Sequence, residues 1–289
     1  MTTLVRIEVE KIVRRRLNQI VLAVFTALLV VVYVLLWLAT DVIAEAGGGD
    51  VGNLRSALFL EETIPFAILL IYTFGFASGV VVIGANIGSE YAWNTIRTLS
   101  ATEPRRSRLL LAKLVAVWGT IVVGLIFGLL VAIVTSTVIT ALNGAIDLSF
   151  VDLAYVRESM FAFLRMLVGT SPYFGLAFMF GVIGRSSTAG IALAFGVGFL
   201  EGIIGGLMEF AGGWVAELAA YGIDHNTDSL AISDGGVFEG IVGQGTALGE
   251  VFQQPSMWHS VVVLAIWTTF FVVMAFWTFR RQDLEYQGG

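Results

Sequence analysis

Cysteine is absent from all 289 residues, which excludes a disulfide framework and any thiolate metal site. Charge is scarce as well. Only 13% of the residues are Asp, Glu, Lys or Arg, where an ordinary soluble domain carries about 25%. No G-x-x-x-x-G-K-[ST] phosphate loop occurs, so this chain is not expected to hydrolyse ATP. Gly243-Gln244-Gly245 has no lysine behind it and reads as a loop turn. The two histidines, His225 and His259, are far apart and form no HExxH pair. Phe76-Ala77-Ser78-Gly79 lacks the G-x-S-G arrangement of an intramembrane serine protease. Metal and nucleophilic catalysis have no motif here, and no enzyme is expected. The net charge is −6, and nucleic acid is not an expected partner.

What is abundant is apolar side chain, 57% of the total. A soluble core cannot absorb that much without leaving large patches in water, so the chain reads as an integral membrane protein. A membrane-crossing helix needs about 20 apolar residues. Six stretches qualify, at about 17–40, 63–88, 109–142, 160–184, 186–210 and 257–279. They predict an all-α fold with one transmembrane domain over 1–289. The first run follows sixteen residues rich in Arg and Glu and is too long for a signal h-region, so it reads as a retained helix. Leu114 to Ile146 is uncharged and exceeds one crossing, which predicts tilt or protrusion. Pro65 falls in an opening turn, where it is tolerated, and Pro172 predicts a kink.

The basic residues orient the spans. With both termini cytoplasmic, thirteen of the sixteen Lys and Arg fall inside, and Arg55, Arg157 and Arg165 fall outside. The stretch 211–256 carries six carboxylates and no Lys or Arg, and reads as a solvated extracytoplasmic loop. Short helices over Gly212 to Ile223 and Phe238 to Phe252 would cap an outer vestibule. Asp224, Asp228 and Asp234 offer oxygens for a cation but read rather as solvated surface. At the other side, Val5, Val9, Ile12, Val13, Leu17 and Ile20 share one helical face, with Arg6, Glu10, Arg14 and Arg15 on others. Such an N-terminal amphipathic helix either lies on anionic lipid or serves as a positive topology anchor.

Between the second and third apolar runs lies SEYAWNTIRTLSATEPRRSRLLLAKL, with five of the sixteen basic residues. Ser89 is placed to cap a short helix, with Glu90 at its positive end. Trp93, Ile96 and Leu99 form an apolar stripe, and Glu90, Asn94 and Arg97 a polar one. Ser100 with Glu103 fits a capping box, and Pro104 suits the next first turn. Arg105, Arg106, Arg108 and Lys113 then line the inner membrane boundary. The segment 89–104 therefore predicts a transverse cytoplasmic helix with an apolar edge.

Gly88-Ser89-Glu90-Tyr91, Asn94-Thr95-Ile96-Arg97-Thr98-Leu99, Pro104-Arg105-Arg106 and Leu110-Leu111-Ala112-Lys113 resemble the signature of a known family. It comprises the membrane subunits of ATP-binding-cassette exporters of the second permease type. These include antibiotic and bacteriocin resistance permeases and copper-enzyme maturation permeases. The resemblance implies that 89–104 is a coupling helix, docking through Glu90, Trp93, Asn94, Thr95, Ile96, Arg97 and Leu99 onto a separate ATPase. It further implies two ATPase copies that bind ATP and Mg, no cofactor on this chain, a second identical or homologous permease, and the plasma membrane of a prokaryote. An ion-coupled secondary transporter and a non-transporting anchor subunit are the rival readings.

Glu201 is the one carboxylate deep within an apolar run, where an ionised group must be paired, neutral or wet. Gly198, Gly202 and Gly206 repeat every four residues around it and invite close helix approach. Glu201 reads either as a polar group along a translocation path or as a hydrogen-bonded lock between helices. Glu209, nearer the outer boundary, calls for nothing beyond exposure. Gly75-x-x-x-Gly79, Gly84-x-x-x-Gly88 and Gly124-x-x-x-Gly128 are further packing candidates.

Overall fold

The computed structural model describes residues 1–45, 55–92, 106–232 and 255–282. Every regular element among them is helical. In chain order they are α1 (Thr2–Arg14), α2 (Arg16–Glu45), α3 (Thr63–Leu70), α4 (Phe76–Ala92), α5 (Arg106–Asn143), α6 (Leu153–Ile183), α7 (Ser187–Ala211), α8 (Gly213–Ala219), α9 (Ile223–Ile232) and α10 (Met257–Arg281). A π-helical turn, Ile71–Gly75, joins α3 to α4 in one continuous crossing. Six helices are long and apolar enough to span a membrane: Arg16–Thr40, Thr63–Ala92, Ser107–Asn143, Leu153–Ile183, Ser187–Ala211 and Met257–Arg281. Their outward faces are greasy: Val31, Leu35 and Leu38 of α2 and Phe199, Leu200 and Leu207 of α7 are all exposed. Hydrocarbon, not water, is the medium such faces require.

The helix α6 is the hub and packs on α4, α7, α9 and α10. Pro172 sits inside it, and the helix runs on unbroken. Proline cannot donate to the carbonyl four residues back. Ser171 supplies the missing bond, its Oγ donating to Val168 O at 2.8 Å, and it also meets Thr268 Oγ1 of α10 at 2.8 Å. The helix starts at Leu153, earlier than position 160, because the Asp152 carboxylate caps it by accepting from Tyr155 N at 2.7 Å.

Glycine sets the tightest crossing. In α4, a Cβ on Gly88 would fall 1.9 Å from Ser187 N, and one on Gly84 would fall 2.9 Å from Ile191 N, so the backbones of α4 and α7 touch. Gly79 and Gly128 instead receive the rings of Phe174 and Phe25.

Two expectations are corrected. The second crossing is helical through Ala92, so Ser89 and Glu90 lie within a long helix and do not open a short one. The Ser89 hydroxyl is engaged there by Arg15 Nη1 at 2.8 Å. After α7, the short helix α8 falls within the expected Gly212 to Ile223 stretch and exposes Trp214 and Leu218, but α9 is not a solvated cap; Asp234 and Phe238 to Phe252 lie outside the described residues. Gly212 turns the chain at φ +69, and α9 packs among α6, α7 and α10. Ile223, Thr227 and Leu230 recur at helical spacing and are buried, so α9 has an apolar seam to cover.

Candidate functional site

At the end of the bundle that carries the N terminus, four charged side chains from three helices converge. Lys113, on α5, is 3% exposed. Its Nζ donates to Glu8 Oε2 of α1 at 2.9 Å and pairs with Glu90 Oε2 of α4. Lys11 donates to Glu8 Oε1 at 2.9 Å and lies 3.9 Å from Glu90 Oε1. Among the described residues, two acids here face two bases. Taking away one partner of a buried pair costs about 3–5 kcal/mol, because it strands a desolvated charge. Burial alone would raise the Glu8 carboxyl, but the Lys113 charge and the hydrogen bonds from Lys11 and Lys113 outweigh it and hold Glu8 below the usual range.

A second set of contacts lies beside this knot. Arg15, at the extended joint between α1 and α2, donates to Ala85 O at 2.9 Å as well as to Ser89. Asn86 donates to Asn18 Oδ1 at 3.0 Å, and Asn18 donates to Ile12 O at 2.7 Å. The far end of α4 is tied to α10 through Tyr91, which donates to Gln282 Oε1 at 3.1 Å. The amphipathic helix α1 therefore packs along α5 and is bound to the bundle through its own acid.

Of the residues assigned to docking, Glu90 lies in this knot. Trp93, Asn94, Thr95, Ile96, Arg97 and Leu99 lie outside the described residues, as does Arg105. Arg106 begins α5, Arg108 is exposed within its first turn, and Lys113 is buried against other helices.

At the opposite end, α7 grips α9. Glu201 Oε2 accepts from Asp224 N at 2.8 Å, and the Ile223 N–H is directed to the same carboxylate. Glu201 thereby caps the positive end of α9 from another helix. Two turns along α7, Glu209 Oε1 pairs with His225 Nδ1 at 2.5 Å, so Glu209 has a partner where exposure alone was expected. Asp224 Oδ1 accepts from Tyr173 of α6 at 3.5 Å, and Thr227 Oγ1 donates to Gly169 O at 3.2 Å. Glycine makes part of the room: a Cβ on Gly202 would meet Asp224 Oδ2 at 2.9 Å, and one on Gly198 the Tyr173 ring at 3.2 Å. Gly206 has nothing within 4 Å.

These groups border a cavity of about 440 Å³ lined by Glu201, Glu209, Asp224, His225, Asp228 and Trp267. Asp228 faces the cavity, where solvent reaches it, yet protein encloses most of its surroundings. That enclosure, with the charges of Asp224, Glu201 and Glu209, pushes its carboxyl up to about 7. Among the described residues no three acidic or histidine side chains converge closely enough to hold a metal ion.

The role of Glu8 was missed by sequence reasoning, although a signal existed. It falls between Val5 and Ile12 on the apolar face of α1, and Lys113 falls inside the apolar run Leu109 to Leu114. Opposite charges embedded in two apolar faces are candidates for one buried pair. The acidic cavity had a weaker signal, since nothing local says that Asp224 and Asp228 return to the bundle.

Six apolar crossings around a glycine-tight core make this a multi-pass integral membrane protein. No protein-family model matches the chain, and no curated protein is significantly similar to it.

Proposed function

We propose that this chain is the permease subunit of an ATP-binding-cassette exporter, set in the plasma membrane of a prokaryote with both termini cytoplasmic. Two copies of a separate ATPase would bind ATP and Mg, and a second permease, identical or homologous, would complete the pathway. The chain itself would hydrolyse nothing. The observation that carries this reading is the stretch Gly88 through Lys113, with its family-like motifs, at the joint between the second and third of six crossings. An ATP-driven displacement of that joint would shift helices between inward- and outward-open arrangements. Finding an ATP-binding-cassette ATPase in the neighbouring reading frame, and co-expressing the chain with it, tests the reading. The two should co-purify, and Arg97→Glu or Ile96→Asp should weaken the association. Undiminished association and ATP turnover in both variants would remove the docking assignment.

The acidic cavity supports a second reading, an ion-coupled transporter. Such proteins gather ionisable groups at a shared polar site within the bundle, and Glu201, Glu209, Asp224, His225 and Asp228 all border one cavity here. Flux in proteoliposomes driven by an ion gradient, without any ATPase, would favour it over the first.

A further inference from the structure

We propose that Lys113 is a positioning residue that makes the N-terminal helix and both roots of the segment 93–105 a single mechanical unit. The roots are the last described turn of α4, up to Ala92, and the first described turn of α5, from Arg106. Glu90 lies two residues before Ala92, and Lys113 lies two turns past Arg106. One ammonium therefore holds α4 through Glu90 and α1 through Glu8 at the same time. Lys11 closes the square from α1, and Arg15 pins the other end of α1 to Ala85 and Ser89.

The physical argument concerns what separate motion would require. Lys113 is almost wholly buried, so it has no water to replace a carboxylate that moves away. If the α5 root shifted alone, the buried Lys113 ammonium would leave both carboxylates at once, and if the α4 root shifted alone, Glu90 would lose its contact with that buried ammonium; separating a buried pair is the expensive outcome. A push delivered to the segment therefore reaches α1, α4 and α5 together. The inference deepens the exporter reading, which it needs only for the origin of the push. The tie itself is a property of this chain.

The test uses Glu8→Gln/Lys113→Met, which removes one acid and one base. It keeps these described acids and bases balanced and leaves the docking candidate Glu90 in place. Lys113→Met alone is the contrast, since it strands two acids against one base and should lower thermal stability. The double variant should regain most of that stability. Even so, amides of α1 should exchange roughly tenfold faster, and ATP-driven flux should fall roughly tenfold with the ATPase still bound, as expected for a lost coupling. Unchanged α1 exchange in the stable double variant overturns the tie. Loosened α1 with flux and ATP turnover at wild-type levels overturns the positioning role. If the wild-type chain binds no ATPase, the exporter reading fails on its own, and the exchange measurement still decides the tie.

Discussion

Alanine at Gly88 and alanine at Gly206 are the same chemical change, yet they should shift stability in opposite directions. At Gly88 the new methyl would lie 1.9 Å from Ser187 N, 2.2 Å from Ser186 C and 2.4 Å from Ser187 Cα. All three are backbone atoms, so no rotamer change relieves the clash. Ordinary contact is about 3.5–4.0 Å, so α4 and α7 must part by roughly 1.5 Å along this crossing. Overpacking of this kind costs about 1–3 kcal/mol where side chains can yield, and the rigid partner here points to the upper end. The bond from Ser187 Oγ to Ala85 O, 3.3 Å long, would be lost with it. At Gly206 nothing lies within 4 Å. There alanine only restrains the unfolded chain and should stabilise by about 0.5–1 kcal/mol. The two variants should therefore differ by roughly 3.5 kcal/mol, or several hundredfold in the unfolding constant. Reversible unfolding in mixed micelles, followed by tryptophan fluorescence, measures the difference. If Gly88→Ala unfolds within about 0.5 kcal/mol of the wild type, the close α4–α7 crossing is wrong.

Two further outcomes follow from the grip of α7 on α9. Glu201→Ala removes the acceptor at the start of α9 and should cost about 1–2 kcal/mol locally. Amides from Ile223 to Thr227 should then exchange roughly tenfold faster, whereas Glu201→Gln keeps one acceptor and should lose less; equal protection in wild type and Ala would refute the cap. If Gln abolishes transport at normal protection, the carboxylate has a role beyond the cap. The Asp228 carboxyl is raised above its unfolded value, to about 7, so the folded state holds this proton more tightly and stability should fall as pH rises from about 4 to about 7. Protection factors in α9 should accordingly be higher near about pH 5.5 than near about pH 8, and Asp228→Asn should flatten the trend. Glu8 has the opposite sign: it lies below its ordinary range, so its contribution is present at neutral pH and lost on acidification below that range.

The span pattern was legible because crossing hydrocarbon is a local requirement. Each apolar run must satisfy its own backbone as a helix, and the six runs can be found without knowing their neighbours. The Asp152 cap and the tolerated Pro172 show the limit of that reading. Both lie near runs found correctly, but the bonds that decide where α6 starts and how it passes the proline involve side chains whose geometry only the fold supplies. The polar sites were less legible still. Glu201 stood out as a carboxylate in an apolar run, but its two readings differed in which group would face it, and the Asp224 and Ile223 amides come from a helix more than twenty residues further on. Lys113 stood at the edge of an apolar run and looked like a boundary charge. In the structure it is buried, because Glu8 is brought against it by the packing of α1 on α5.

Membrane character, helix type and the number of crossings followed from composition and run length alone, since the price of exposing backbone to lipid is charged residue by residue. Which side chain meets which was decided by the tertiary structure, because contacts such as the Lys113–Glu8 ion pair and the approach of His225 to Glu209 form only when separate helices cross at one angle and depth. No pattern within either helix encodes that crossing, because it depends on how separate helices pack.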